Sequence, residues 1–156
     1  YKTCSTFDSA PRLGSIGKAT EIGLRVSGAD WAPLVVGAPA IGRWQIFGTL
    51  FAAFDGAPYR LDRHPVMARH PATPMNEADL CRHLDAQTDL PKAVVDWRAL
   101  VTGRGHEAVT AARAEGARII AIDCFDDRTL AEAGALLWPA SGDPPIFAVG
   151  SQGVEY

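Results

Sequence analysis

The sequence predicts an α/β protein with a three-layer α/β/α architecture and a mostly parallel sheet. Short apolar runs such as Pro33 to Val36 and Arg118 to Asp123 suit strands buried on both faces. Segments with helical spacing alternate with them, and Gly or Pro marks most of the joints. That alternation calls for right-handed crossovers and places ligands outside the carboxyl ends of the strands.

The elements follow in order. Tyr1 to Ser5 reads as a first strand, Thr6 to Leu13 as a loop, and a helix begins near Gly14 with Ile16, Ala19, Gly23 and Val26 on one face. Gly28 ends that helix. Between Gly37 and Asp62 short apolar runs are broken by Gly42, Gly48, Gly56 and Pro58, a β-ribbon or structured-loop pattern. Thr73 reads as an N-cap with Pro74 at the first helical position, opening a helix to about Ala86. Its Leu80, Cys81 and Leu84 would face a core, and Arg82, His83 and Asp85 solvent. Ala93 to Val95 reads as a strand and His106 to Glu115 as a helix. A further helix spans Asp127 to about Trp138, and Pro144 to Gly150 closes with the strand IFAVG.

Composition narrows the function classes. The 156 residues carry 15 Lys and Arg against 18 Asp and Glu, a net charge of −3, which offers no basic footprint for nucleic acid. The charge-free stretches Ala32 to Gly42 and Trp44 to Phe54 are well short of the roughly 18 apolar residues that cross a bilayer. Cys4, Cys81 and Cys124 are widely spaced and form no CxxC pair, so each reads as a small buried apolar residue in a reducing cytoplasm. The opening at Tyr1, inside a strand-like run and without an initiator Met, reads as a fragment of a longer protein.

Two polar clusters carry the candidate chemistry. The first places Lys2, Ser5, Thr6, Asp8 and Ser9 at the end of the first strand, before a helix whose first turn holds Gly14, Ser15 and Gly17. Free N–H groups and the dipole there suit a carboxylate or phosphate, and a capped strand-helix loop is the alternative. GSIGK lacks the spacing of a phosphate-gripping P-loop, since Arg12 and Ala19 stand where a glycine and a hydroxyl are needed. The second cluster, Tyr59 to Leu80, holds Arg60, Asp62, Arg63, His64, Arg69 and His70 among Pro65, Pro71 and Pro74. Its arginines offer a forked grip for an anion; a solvated, salt-bridged loop is the competing reading. His64 and His70 lack the i, i+4 spacing or cysteine partner of a metal pair, and no metal is expected.

The runs YKTCSTFDSAPRLGSIG, PAIGRWQIFGTLFA and DRHPVMARHPATPMNEADLCRHLDAQT closely resemble the N-terminal, substrate-binding domain of the four-carbon acid sugar kinase family. The likeness is strong to about Thr88, looser to Pro145, and returns at VGSQGVEY, where the family shows a GSSG-type turn. The resemblance implies a fragment of a two-domain, ATP- and Mg²⁺-dependent cytoplasmic kinase that phosphorylates tetronates or 3-oxo-tetronates. Residues 1–156 would be a partial acid-sugar-binding domain. The family's opening Asp-Asp-x-Thr-Gly segment would precede Tyr1, and the nucleotide-binding domain would follow Tyr156, so the fragment alone is expected to be inactive. The resemblance also implies that Lys2, Ser5, Thr6, Asp8, Ser9, Arg63, His64, His70 and Thr73 bind the acid sugar. Lys2 and Arg63 would neutralise its carboxylate; Asp8 competes with the missing aspartates for the role of proton acceptor. A homo-oligomer is compatible with this reading. A non-catalytic module that binds an acidic metabolite is the alternative from another class.

Overall fold

The computed structural model describes residues 1–138 and 145–155. A four-stranded parallel sheet runs β5 (Lys92–Val95), β6 (Ile119–Ile122), β1 (Ala32–Val35) and β7 (Val149–Gly150), in that spatial order. Side chains alternate across it. Ile119 and Ala121 join Leu34 in one core, while Ile120 and Ile122 join Val35 in the other. Helices α1 (Ile16–Ser27) and α2 (Leu80–Asp85) serve the first core; α3 (Trp97–Val101), α4 (Gly105–Ala114) and α5 (Asp127–Leu137) serve the second. The architecture is therefore three layers with helices on both faces.

The glycine-broken stretch forms an antiparallel sheet of β2 (Arg43–Ile46), β3 (Thr49–Phe54) and β4 (Ala57–Arg60). It sits at the carboxyl ends of the parallel strands. The buried carboxylate of Asp123 accepts from the amides of Phe47, Gly48 and Trp97 at 2.6, 2.9 and 3.1 Å. The amide of Gln45, fully buried, bonds Val36 and Ile122. Space over β1 and β6 is closed as well, since a Cβ on Gly37 would stand 1.9 Å from the Cys124 carbonyl.

Several expectations need correction. Tyr1 to Ser5 forms only one parallel bridge, Lys2 to Gly150, because β7 offers two residues to pair with. Of the expected final strand, Val149–Gly150 is a strand, Ile146 to Ala148 is not, and Pro144 lies outside the described residues. The buried face of α1 is Ile16, Thr20, Gly23 and Leu24, and Val26 is exposed. Helix α2 begins at Leu80 with Asp79 as its cap, not at Thr73. The preceding segment is extended because it lies along the hairpin sheet, where Leu50 N–H donates to Ala78 O and Leu80 N–H to Gly48 O, both at 2.9 Å. Of the cysteines only Cys124 is buried; Cys81 is half-buried and Cys4 exposed. Among the described residues, no helix is long and apolar enough to cross a membrane.

Candidate functional site

The loop after Thr3 turns sharply. Phe7 N–H donates to Cys4 O at 2.9 Å, and Phe7 adopts a left-handed φ of 53° with its ring fully buried. A bulky residue holds that conformation only where its surroundings impose it, at a cost of order 1–3 kcal/mol. The turn projects Cys4, Thr6 and Asp8 together. Thr6 Oγ1 donates to Asp8 Oδ1 at 2.9 Å, and the Cys4 thiol, 3.1 Å from Thr6 Oγ1, also supports the carboxylate. Burial pushes the Asp8 carboxyl up, but those side chains, its own backbone amide and the charge of His70 outweigh it, so it stays below the ordinary carboxylate value. Asp8 is an anion at neutral pH.

His70 belongs to the second cluster, about sixty residues on in sequence, and its influence on the Asp8 carboxyl is the smallest of these. Its Nδ1 accepts the Thr73 amide at 3.1 Å and lies 3.0 Å from Thr73 Oγ1. In the neutral ring, with Nδ1 as acceptor, Nε2–H is the donor left for a partner; only the protonated ring exerts the charge felt at Asp8. Arg63 is exposed and forms no ion pair among the described residues. Ser5 is half-buried at the turn. The first loop thus offers an anion and hydroxyls, and the second an imidazole N–H and, at Arg63, an exposed forked cation.

Other expected residues serve the frame. His64 is 5% exposed between Phe54 and Tyr59, and its Nδ1 accepts the amides of Val66 and Met67 at 3.2 Å each. Burial pushes its pKa down, against a backbone bond at Ala53. Both ring nitrogens are engaged, and the ring staples its own turn. Asp62 is held below its ordinary value by a bidentate bond with Arg60, at 2.7 Å twice. Lys2 lines a separate cavity of about 320 Å³ with Tyr1, Phe147, Ser151 and Glu155.

Ser9 is 2% exposed and spent. It donates to Phe7 O at 3.1 Å, accepts from Gln87 Nε2 at 2.9 Å, and has His83 Nε2 at 2.9 Å. One proton and two lone pairs are thereby used, leaving none for a ligand. The first turn of α1 is closed too: Ser15 Oγ accepts Lys18 N–H, and Gln87 Oε1 accepts Gly17 N–H, both at 3.1 Å. Capping, not anion binding, describes that helix end. Sequence reasoning missed Cys4, His83 and Gln87. A polar triplet at Cys4, Thr6 and Asp8, two apart in a turn, was the signal for Cys4; the other two carry none without the fold.

The family model described as a sugar-binding N-terminal domain matches residues 1–156. A 3-oxo-isoapionate kinase of Paraburkholderia graminis is 51% identical over all of this chain and 33% of its own length. A 3-oxo-tetronate kinase of Pseudomonas fluorescens is 33% identical over 97% of this chain and 33% of its own. The chain thus spans about a third of the length of the curated relatives it matches. The crystal structure of Haemophilus influenzae protein HI1011 superposes with a TM-score of 0.85 at 28% identity, covering 98% of this chain and 35% of the other.

Proposed function

Because this chain belongs to the family of sugar-binding N-terminal domains, we propose that it is the acid-sugar lobe of an ATP-dependent kinase acting on four-carbon 3-oxo acid sugars. The observation that carries this reading is the turn in which Thr6 and Cys4 hold the Asp8 carboxylate ionised; we place His70 and Thr73 beside it. The relative named as a 3-oxo-tetronate kinase supports the four-carbon class, and with the 3-oxo-isoapionate kinase it supports a 3-oxo acid sugar more broadly. In this reading Asp8 accepts a bond from a sugar hydroxyl, His70 Nε2–H donates to the oxo or carboxylate oxygen, and Arg63 forks onto the carboxylate. Thr6 and Cys4 keep Asp8 charged and aimed.

ATP and Mg²⁺ are assigned to other parts of the longer protein. Among the described residues no group of three or more His, Cys, Asp or Glu could hold a metal ion. The lobe's task is then positioning, which in phosphoryl transfer supplies much of the catalysis. The test is ADP release by the longer protein with Mg·ATP and, separately, a 3-oxo-tetronate and 3-oxo-isoapionate. Turnover of at least one is expected, with none for this chain alone. No turnover of either, or turnover by the isolated chain, would overturn the proposal.

A further inference from the structure

The acid-sugar reading leaves unanswered what holds the turn at Cys4 to Asp8, which keeps a bulky residue at φ 53°. Its supports come from α2 and the residue pair just after it. The His83 ring meets the buried Phe7 ring edge-on, with centroids 5.7 Å apart, and His83 Nε2 lies 2.9 Å from Ser9 Oγ. Gln87 donates to the same hydroxyl at 2.9 Å, while its Oε1 takes Gly17 N–H at 3.1 Å and Ser15 Oγ at 3.3 Å. Four segments therefore share one polar knot: the turn, its exit at Ser9, the start of α1 and the end of α2.

We infer that His83, acting with Gln87 through Ser9 and Phe7, is a positioning residue that latches the Thr6–Asp8 turn in its ligand-ready shape. This rests on the acid-sugar reading for its consequence, not for its geometry. Among the described residues, His83 and Gln87 share no hydrogen bond with Cys4, Thr6, Asp8 or His70, so their effect on a ligand passes through the backbone of residues 7 to 9. α2 also follows directly on the loop that carries His70 and Thr73. The latch thus fixes one loop against the element that continues the other. An imidazole at this place supplies a flat ring for Phe7 and an N–H for Ser9 together; Gln supplies the donor alone, and Ala neither.

The test uses His83→Ala and His83→Gln. In the ligand-free chain, amide exchange is followed at Phe7, whose N–H bonds Cys4 O, and at the core amides of Ala32 and Leu50. His83→Ala should speed exchange at Phe7 by about tenfold or more while the core amides change little, and Gln should recover much of the protection. In the longer protein with a 3-oxo-tetronate, His83→Ala should raise KM for the acid sugar by roughly tenfold, leave KM for ATP within about twofold, and Gln should lie between. Unchanged exchange at Phe7, or equal acceleration at Phe7, Ala32 and Leu50, would overturn the latch. An equal rise in both KM values would overturn it too. If the wild-type protein turns over no acid sugar, the functional reading fails, and the exchange result alone decides the latch.

Discussion

At the scale of single residues, charge decides what the site can hold. Arg63 is exposed and forms no ion pair among the described residues, so its replacement should remove the proposed ligand contact without breaking an ion pair of the frame. A charge-assisted contact is worth roughly 1.5–3 kcal/mol, so Arg63→Met should lower kcat/KM for the acid sugar by about ten- to a hundredfold. Arg63→Lys should be intermediate, because it keeps the charge and loses the fork. Steady-state kinetics with varied acid sugar, then varied ATP, check this; ATP dependence should hold. Asp8→Asn keeps the shape and removes the anion that Thr6 and Cys4 support, and should weaken acid-sugar binding by roughly tenfold or more in calorimetry. Thr6, Asp8, His70 and Thr73 were legible as polar residues in two loops. Ser9 and His64 looked identical to them in sequence, and only the count of bonds already made by Ser9 Oγ and the His64 ring shows them spent.

At the scale of elements, the strands β1, β5 and β6, α1, α4, α5 and the β-ribbon were readable because apolar periodicity follows directly from burial. The start of α2 was not. Thr73 and Pro74 satisfy a local rule for a helix start, yet His70 takes Thr73 for its own turn and the hairpin takes residues 78 and 80, so the helix waits for Asp79. Helical spacing placed His83 outward by the same logic, and the loop from Phe7 to Ser9 then covers it. The contact between α1 and the end of α2 makes a prediction. A Cβ on Gly17 would lie 2.7 Å from Gln87 Cβ, 2.9 Å from Thr88 Cγ2 and 3.0 Å from Gln87 backbone carbon, none of them the tip of a flexible chain. Gly17→Ala gains up to about 1 kcal/mol of helix propensity. The overlap typically costs 1–3 kcal/mol, roughly, and should win. Urea unfolding should show a lower midpoint; an unchanged or higher one would mean that the α1–α2 contact gives way easily.

At the scale of the whole molecule, acid should loosen the fold in two stages. Burial lowers the pKa of His83 and of His64 from an ordinary value of about 6.5. A folded pKa below the unfolded one means that their contribution is present above about 6.5 and is lost as pH falls through the folded values. Asp8 and Asp62, also lowered, lose their contribution further down, below about 4. Asp123, which burial raises against its three amide bonds, works in the opposite sense over the acid range. Urea midpoints between pH 7.5 and 5 should therefore fall, and His83→Gln should flatten part of that slope. The central claim is that one rim, built by two distant loops, holds an acid sugar. Amide chemical-shift mapping of the 156-residue chain titrated with a 3-oxo-tetronate tests it most directly. The account predicts saturable shifts concentrated at Ser5 to Asp8, Arg63 and His70 to Thr73. Shifts confined to the cavity of about 950 Å³ beside α5, or no saturable shift at all, would contradict it.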